Sequence, residues 1–258
     1  MPTDKTQPRS RAPFIVIEGL DRSGKTTQAS LLHSKLQSLN IPTKLLKFPD
    51  RTTPIGQMID SYLRSQSELD DHVIHLLFSA NRWELASTIT DLLHSGTTIL
   101  CDRYAFSGIA FSASKPSLIQ QFSSSKSNST STNVPETTRD LAALEWCRAP
   151  DISLPAPDLT IFLDFSPAEA QSRSGYGEER YEKIDVQNRV REIFHRLGQE
   201  MVHNDNDNHR RDSSQEWVVV DASKDREVIA DELWRLAEPL ATKGVEGEIK
   251  QLWEDKLQ

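Results

Sequence analysis

A short apolar run, Phe14-Ile15-Val16-Ile17-Glu18, is followed by Gly19, four residues, and then Gly24-Lys25-Thr26. No other stretch narrows the fold as far. The spacing is that of a phosphate-binding loop, in which a strand runs into a glycine-bearing turn and out into a helix. Gly19 and Gly24 permit backbone angles that let successive N–H groups converge on one anion. The helix opening at Gly24 adds its unpaired N–H groups and dipole. Lys25 supplies a point charge for β- and γ-phosphates, and the Thr26 hydroxyl is placed to ligate Mg²⁺.

Downstream, Leu31, Leu32, Leu36 and Leu39 follow helical spacing, so a helix is predicted over about 24–39. Further β-runs are expected at 43–48, 97–101, 159–164 and 217–220. Helices are expected at about 55–64, 70–94, 106–113, 138–147, 167–173, up to 202, and 225–237. Strands that alternate with helices imply an α/β fold, here a five-stranded parallel sheet wrapped by helices. A phosphate loop after the first strand puts the ligand at the carboxyl edge of that sheet.

The chain has 258 residues and divides on this reading into a disordered tail over 1–12, one domain over 13–240, and a helical tail over 241–258. Two polar stretches interrupt the domain, a serine-rich one at 114–137 and another at 204–215, both expected to be surface insertions. A net charge of −8 argues against coating nucleic acid, while leaving room for a mononucleotide, which needs only local positive charge. Cys101 and Cys147 share no metal or redox spacing, which suits a reducing compartment. No run approaches the ~20 apolar residues of a membrane span. The expected location is the cytoplasm, with the nucleus as a second compartment.

Several charged residues sit where chemistry would need them. Asp102 closes an apolar strand, a position from which an acid reaches the metal beside the loop threonine. Arg103 follows it and can meet a second phosphate. Arg51 lies in the loop after the second strand, facing the acceptor side. Arg22 lies inside the phosphate loop, where a cation can act as an arginine finger supplied in cis. Phe78 and Arg82 are four apart and share a helix face, offering a flat platform with donors at its edge. From spacing alone, core packing with a snorkelling arginine accounts for that pair better. Arg173 and Arg180 flank a Gly175–Gly177 segment that could close over phosphates, or be an ordinary charged loop.

Together these residues resemble the eukaryotic-type thymidylate kinases, which are phosphate-loop nucleoside monophosphate kinases. The stretches that carry the resemblance are FIVIEGLDRSGKTTQ (14–28), FPDRTTPIG (48–56), HLLFSANRWE (75–84), CDRYAFSGIAF (101–111), EWCRAPDISLPAPDLTIFLD (145–164) and ERYE (179–182). The loop alone is shared by many families; HLLFSANRWE with DRYAFSG is far more specific. The resemblance implies phosphate-loop kinase topology, a homodimer through the helix at 70–94, and transfer of the γ-phosphoryl group of MgATP to dTMP in dTTP biosynthesis. Ser23, Lys25, Thr26 and Thr27 would bind ATP phosphates and Mg²⁺, with Asp102 holding the metal through water. Asp21 would accept from the sugar 3′-hydroxyl, and Arg22 would act in catalysis. Arg51 and Arg103 would hold the acceptor phosphate. Phe78 would stack on thymine, and Arg82 would donate to its carbonyl. Phe48, Ser107, Gly108 and Phe111 would border the acceptor pocket. Arg173 and Arg180 would belong to the lid, with Tyr181 and Gln187 meeting the nucleotide behind it. Tyr176 and Glu178 depart from the eukaryotic lid pattern.

Two other classes compete. One is a kinase of the same topology acting on deoxynucleosides or another monophosphate. Arg51 and Arg103 speak against nucleosides, which bring no phosphate to clamp. The other is a nucleotide-dependent switch or silent binding module, for which no water-positioning residue is evident.

Overall fold

The computed structural model describes residues 11–121, 136–171, 180–181, 183–203 and 216–254. Strand β1 (Phe14–Gly19) lies at the centre of a parallel sheet. Its neighbours are β3 (Thr98–Asp102) and β4 (Leu159–Asp164), with β2 (Thr43–Lys47) and β5 (Glu216–Asp221) outermost, giving the order β2-β3-β1-β4-β5. The apolar runs of β1, β3 and β4 are buried on both faces, as parallel strands covered by helices must be, whereas β2 and β5 are only partly covered.

The helices sort by face. Helices α1 (Lys25–Ser38) and α10 (Arg226–Lys243) cover the side reached by Ile15, Ile17 and Leu100. Phe14, Val16, Ile99 and Cys101 point to the other side. There the chain supplies α2 (Pro54–Leu63), α3 (Asp71–Trp83), α4 (Ala86–His94), α5 (Ala105–Ala113), α7 (Glu136–Arg148) and α9 (Ile184–His203). The short α6 (Pro116–Gln121) and α8 (Pro167–Gln171) complete the helices of the described residues. None of these is long and apolar enough to cross a membrane.

Four expectations need correction. The helix expected over 70–94 is two, because the chain breaks at Glu84 and Leu85. Leu85 N–H turns back to the Arg82 carbonyl at 3.1 Å, and the Glu84 carboxylate accepts from Asn81 and from Thr53, both at 2.9 Å. The break is made by tertiary partners; no proline or glycine marks it. Residues 1–10 lie outside the described residues, but Arg11 and Ala12 are not a tail. Arg11 is buried and grips Asp158 through two 2.7 Å bonds, while its backbone bridges Val245. The segment after Lys243 does not continue as a helix over 244–253. Its backbone bonds to residues 153–156, Leu252 is buried, and the Trp253 ring lies 5.7 Å from that of Phe106. Apolar burial and backbone pairing hold it on the domain.

The fourth correction concerns the insertion expected at 114–137. Its opening residues are core. Ser114, Lys115 and Leu118 are buried, and the Lys115 ammonium donates to Tyr62 Oη at 3.1 Å and to Asp71 at 2.6 Å. Residues 122–135, like the whole of 204–215, lie outside the described residues.

His75 on α3 is sealed in the interior, its Nδ1 2.9 Å from Ser112 Oγ. Burial, reinforced by the Arg82 cation, pushes its pKa down to about 3. The unfolded chain takes up this proton below about 6.5. Stability from this group is therefore present above pH 6.5 and lost as the pH falls from there toward 3. The expected cost is about 1.4 kcal/mol per pH unit inside that window. Urea unfolding at pH 7 and pH 5 should show this acid loss in wild type and a flatter dependence in His75→Gln. Equal slopes would assign the acid sensitivity to other groups.

Candidate active site

At the end of β1 the chain makes its phosphate loop. Gly19 has φ 151° and Gly24 φ 93°, in the region that a β-carbon disfavours. No side chain caps α1 at Gly24, so the first N–H groups of the helix are available to an anion. Lys25 folds back inside the loop, its ammonium donating to the Leu20 carbonyl and, at 3.3 Å, to Ser23 Oγ. Burial is the main cause and the Arg103 cation the next in lowering the Lys25 pKa to about 7. A phosphate beside it would supply the missing counter-charge.

Asp102, the last residue of β3, comes to the same place. Its Oδ2 accepts from Thr26 Oγ1 at 2.5 Å and lies 3.4 Å from the Lys47 ammonium. Burial alone would raise its pKa, but Lys25, the Thr26 hydroxyl, Arg103 and Lys47 outweigh it and hold the carboxyl below the usual range. Among the described residues Oδ1 is buried without a hydrogen-bond partner. A hydroxyl and a carboxylate with an unused buried oxygen fit a hard divalent cation with oxygen ligands.

The segment after β3 turns sharply. Arg103 has φ 70°, and Arg22 in the loop opposite has φ 64°, a conformation uncommon for a residue with a side chain. The buried Glu18 carboxylate pins the turn, accepting from the backbone N–H of Tyr104 at 2.9 Å, from that of Ser107 at 3.0 Å, and from Ser107 Oγ at 2.5 Å. Arg103 Nη1 then donates to the Gly19 carbonyl at 3.0 Å and to Ser107 Oγ at 3.1 Å, and Nη2 to Asp21. Gln187, from the first turn of α9, donates to the other Asp21 oxygen at 2.9 Å. The Tyr181 carbonyl accepts from the same amide at 2.9 Å. Asp21 thus joins β1, β3 and α9 at one point.

Between these groups lies a cavity of about 640 Å³. Its lining brings Arg22, Lys25, Thr26, Thr27, Lys47, Arg51, Arg82 and Arg103 together with Phe48, Pro49, Leu63, Phe78, Tyr104, Phe111 and Tyr181, and with Ser107 and Gly108 of α5. The two sets meet where the Arg103 guanidinium lies 5.1 Å over the Phe111 ring. Arg51 is held from behind, its Nη1 2.7 Å from Asp60. Arg82 is not a snorkelling surface residue. It is 2 % exposed and pairs with the fully buried Asp151. The reading that spacing favoured for the Phe78/Arg82 pair is overturned by this placement. Cations and aromatic rings lining one cavity suit a phosphorylated, flat heterocycle.

Gly19, Ser23, Asp102 and Gln187 stand just behind the wall and brace it through the bonds above. Arg180 does not face the cavity. It pairs with Glu68 at 2.7 Å and lies 4.1 Å over the Tyr62 ring, so the expected ATP contact is not made in this arrangement. Arg173, Tyr176 and Glu178 lie outside the described residues. Residues absent from the sequence reading are Lys47, Glu18 and Asp151. Lys47 carried a signal, since it ends a strand at the carboxyl edge. Asp151 lies within the EWCRAPDISLPAPDLTIFLD stretch, but nothing there tied it to Arg82, 69 positions away.

Comparison with known proteins agrees with this geometry. The family model for thymidylate kinase matches residues 17–139 and 129–232. The chain is 44 % identical to thymidylate kinase of Schizosaccharomyces pombe over 87 % of its length and 91 % of the relative's. It is 37 % identical to the Homo sapiens thymidylate kinase over 94 % of its length and 98 % of that protein's. A solved structure of thymidylate kinase from Candida albicans superposes with a TM-score of 0.71 at 37 % identity, covering 94 % of this chain and 99 % of that one. On fold, cavity and sequence together, the chain belongs to the thymidylate kinase family.

Proposed function

We propose that this protein phosphorylates dTMP to dTDP with ATP as donor, feeding dTTP synthesis. The observation that carries this reading is one cavity whose lining joins the phosphate loop and Lys25 to Arg51, Arg103, Phe78 and Arg82. The β- and γ-phosphates of ATP lie on the loop amides and Lys25. The acceptor phosphate lies between Arg51 and Arg103, with the base against Phe78 and beside Arg82. Asp21, already tied to Arg103 and Gln187, accepts from the sugar 3′-hydroxyl. Phe111 crowds the position a ribose 2′-hydroxyl would take. Transfer then needs no covalent intermediate, since positioning and charge suffice. Thr26 and Asp102 would hold Mg²⁺, which when bound neutralises charge on the donor phosphates. Arg22 from the loop reaches the transferring group, and Arg180 would join the donor side only by leaving Glu68.

The protein is proposed to act as a homodimer through α3, where Val73, Leu76 and Trp83 present apolar surface more than two-fifths exposed. Sedimentation of wild type against Leu76→Asp tests this: a dimer that becomes a monomer supports it, and a wild-type monomer at micromolar concentration removes it. Two buried free cysteines suit the reducing cytoplasm and nucleus.

Activity is tested by ADP formation with dTMP, dUMP, UMP, CMP, AMP and thymidine as acceptors. The expected order puts dTMP first, dUMP behind it, and thymidine at background. Equal use of thymidine would remove the phosphate clamp from the argument, and preference for CMP or AMP would remove the base assignment.

A further inference from the structure

Arg82 is held from two sides by groups far from it in sequence. On one edge, Asp151 accepts from Nε at 3.1 Å and from Nη2 at 2.6 Å, a bidentate pair in which the arginine is 2 % exposed and the aspartate fully buried. Asp151 ends the single 3-10 turn Ala149–Asp151 that follows α7. On the other side the guanidinium lies flush on α5 at Gly108. A β-carbon built there would stand 2.6 Å from Nη1, 2.8 Å from Nη2 and 3.0 Å from Cζ. A free arginine could swing clear of such an atom. This one is tethered by Asp151 and could yield only by tilting its plane within the pair.

We propose that Asp151 and Gly108 set base specificity by positioning Arg82, Asp151 as its anchor and Gly108 as the clearance that lets it lie flat. This inference rests on the reading of Arg82 as the residue beside the base. A guanidinium carries five N–H donors in a rigid plane. The pair with Asp151 uses the Nε edge, so the donors left are those of Nη1 and the outer hydrogen of Nη2. These form a purely donating edge, fixed in direction and permanently charged. Such an edge accepts a ring carbonyl and rejects an exocyclic amine, which would set donor against donor. Freedom to rotate would blunt that rejection, because a mobile guanidinium can turn its plane away from the amine. Discrimination therefore depends on the anchor as much as on the donor.

A buried ion pair also supports the fold, and its loss destabilises whatever its functional role. The deciding readout is thus the ratio of kcat/KM for dTMP to that for dCMP, measured on folded enzyme below its melting temperature. In Asp151→Asn one acceptor oxygen becomes a donor facing the fork, and the plane is released. The dTMP preference is expected to fall at least tenfold, mainly through a higher KM for dTMP, with kcat changed less than threefold because the phosphate groups are untouched. Gly108→Ala keeps the pair but displaces the plane, and α5 accepts alanine readily. It should lower the same ratio without loss of the fold. If Asp151→Asn does not accumulate as folded protein, Gly108→Ala decides alone. A lowered Tm with an unchanged ratio in either folded variant would overturn the proposal and leave Asp151 a structural partner. Arg82→Ala in the same assay separates the two levels. If that variant keeps the wild-type ratio, the base reading itself fails. If it loses the ratio while Asp151→Asn and Gly108→Ala keep it, only the positioning proposal fails.

Discussion

Lys25→Met is expected to abolish phosphoryl transfer, and Arg22→Ala to slow it by roughly 10²–10⁵ with little change in dTMP affinity. The two effects have different origins. Lys25 sits inside the loop with its ammonium on the Leu20 carbonyl and Ser23 Oγ, where burial holds its pKa down to about 7. Its charged form is disfavoured there until phosphates arrive. Methionine fills the same space without a charge, so the ligand-free protein should keep or raise its melting temperature while ATP phosphates lose their partner. Arg22 instead lines the open cavity, and its interaction with the transferring group grows as charge develops. Its backbone already has φ 64°, a cost that alanine shares, so Arg22→Ala removes the side chain without new backbone strain. Steady-state ADP formation with separate titrations of ATP and dTMP checks both variants. Near-normal turnover in Arg22→Ala would leave it no catalytic role, and a lowered melting temperature in Lys25→Met would show that its hydrogen bonds outweigh its burial.

Arg82→Ala is expected to lose most dTMP activity and most of the preference for dTMP over dCMP together. Phe78→Ala should weaken binding by about 1–3 kcal/mol, by analogy with base–aromatic stacking, and leave the preference largely intact. Phe78 offers a π-face that every base can use, so it contributes affinity. Arg82 offers donors only, so it contributes discrimination, and cytosine would leave the edge of the buried guanidinium not used by Asp151 without an acceptor. Removing Arg82 also strands the fully buried Asp151, a change that costs about 3–5 kcal/mol of stability. Arg82→Ala/Asp151→Asn removes that uncompensated charge and should recover part of the stability without recovering the preference. Catalytic efficiencies for dTMP and dCMP in these proteins, with melting temperatures alongside, separate fold from choice of base. An Arg82→Ala enzyme that loses activity yet keeps the full preference would place base selection elsewhere in the cavity.

What was legible in the sequence was local. The Gly19 to Thr26 spacing announced the phosphate loop because its geometry is written in consecutive residues. The strand expected at 159–164 has those bounds in the structure, since burial on both faces demands an unbroken apolar run. Asp102 and Arg103 were recognisable from their place at a strand end, and Phe78 and Arg82 from the HLLFSANRWE stretch that carries the family resemblance. Spacing alone nevertheless pointed Arg82 to solvent, because periodicity reports a face and not what packs against it. The tertiary structure decided what those side chains meet. It brought Asp151 to Arg82 across 69 positions and Asp158 to Arg11 across 147. It broke the 70–94 helix with the carboxylate of Glu84 where no breaker residue stands, and it seated the segment after Lys243 on the core. It also turned Arg180 onto Glu68, away from the cavity that Tyr181 lines. Local signals arise from steric limits on a few adjacent residues. A pairing between distant charges depends on which partners the completed fold brings within a hydrogen bond, and no spacing along this chain encodes that distance.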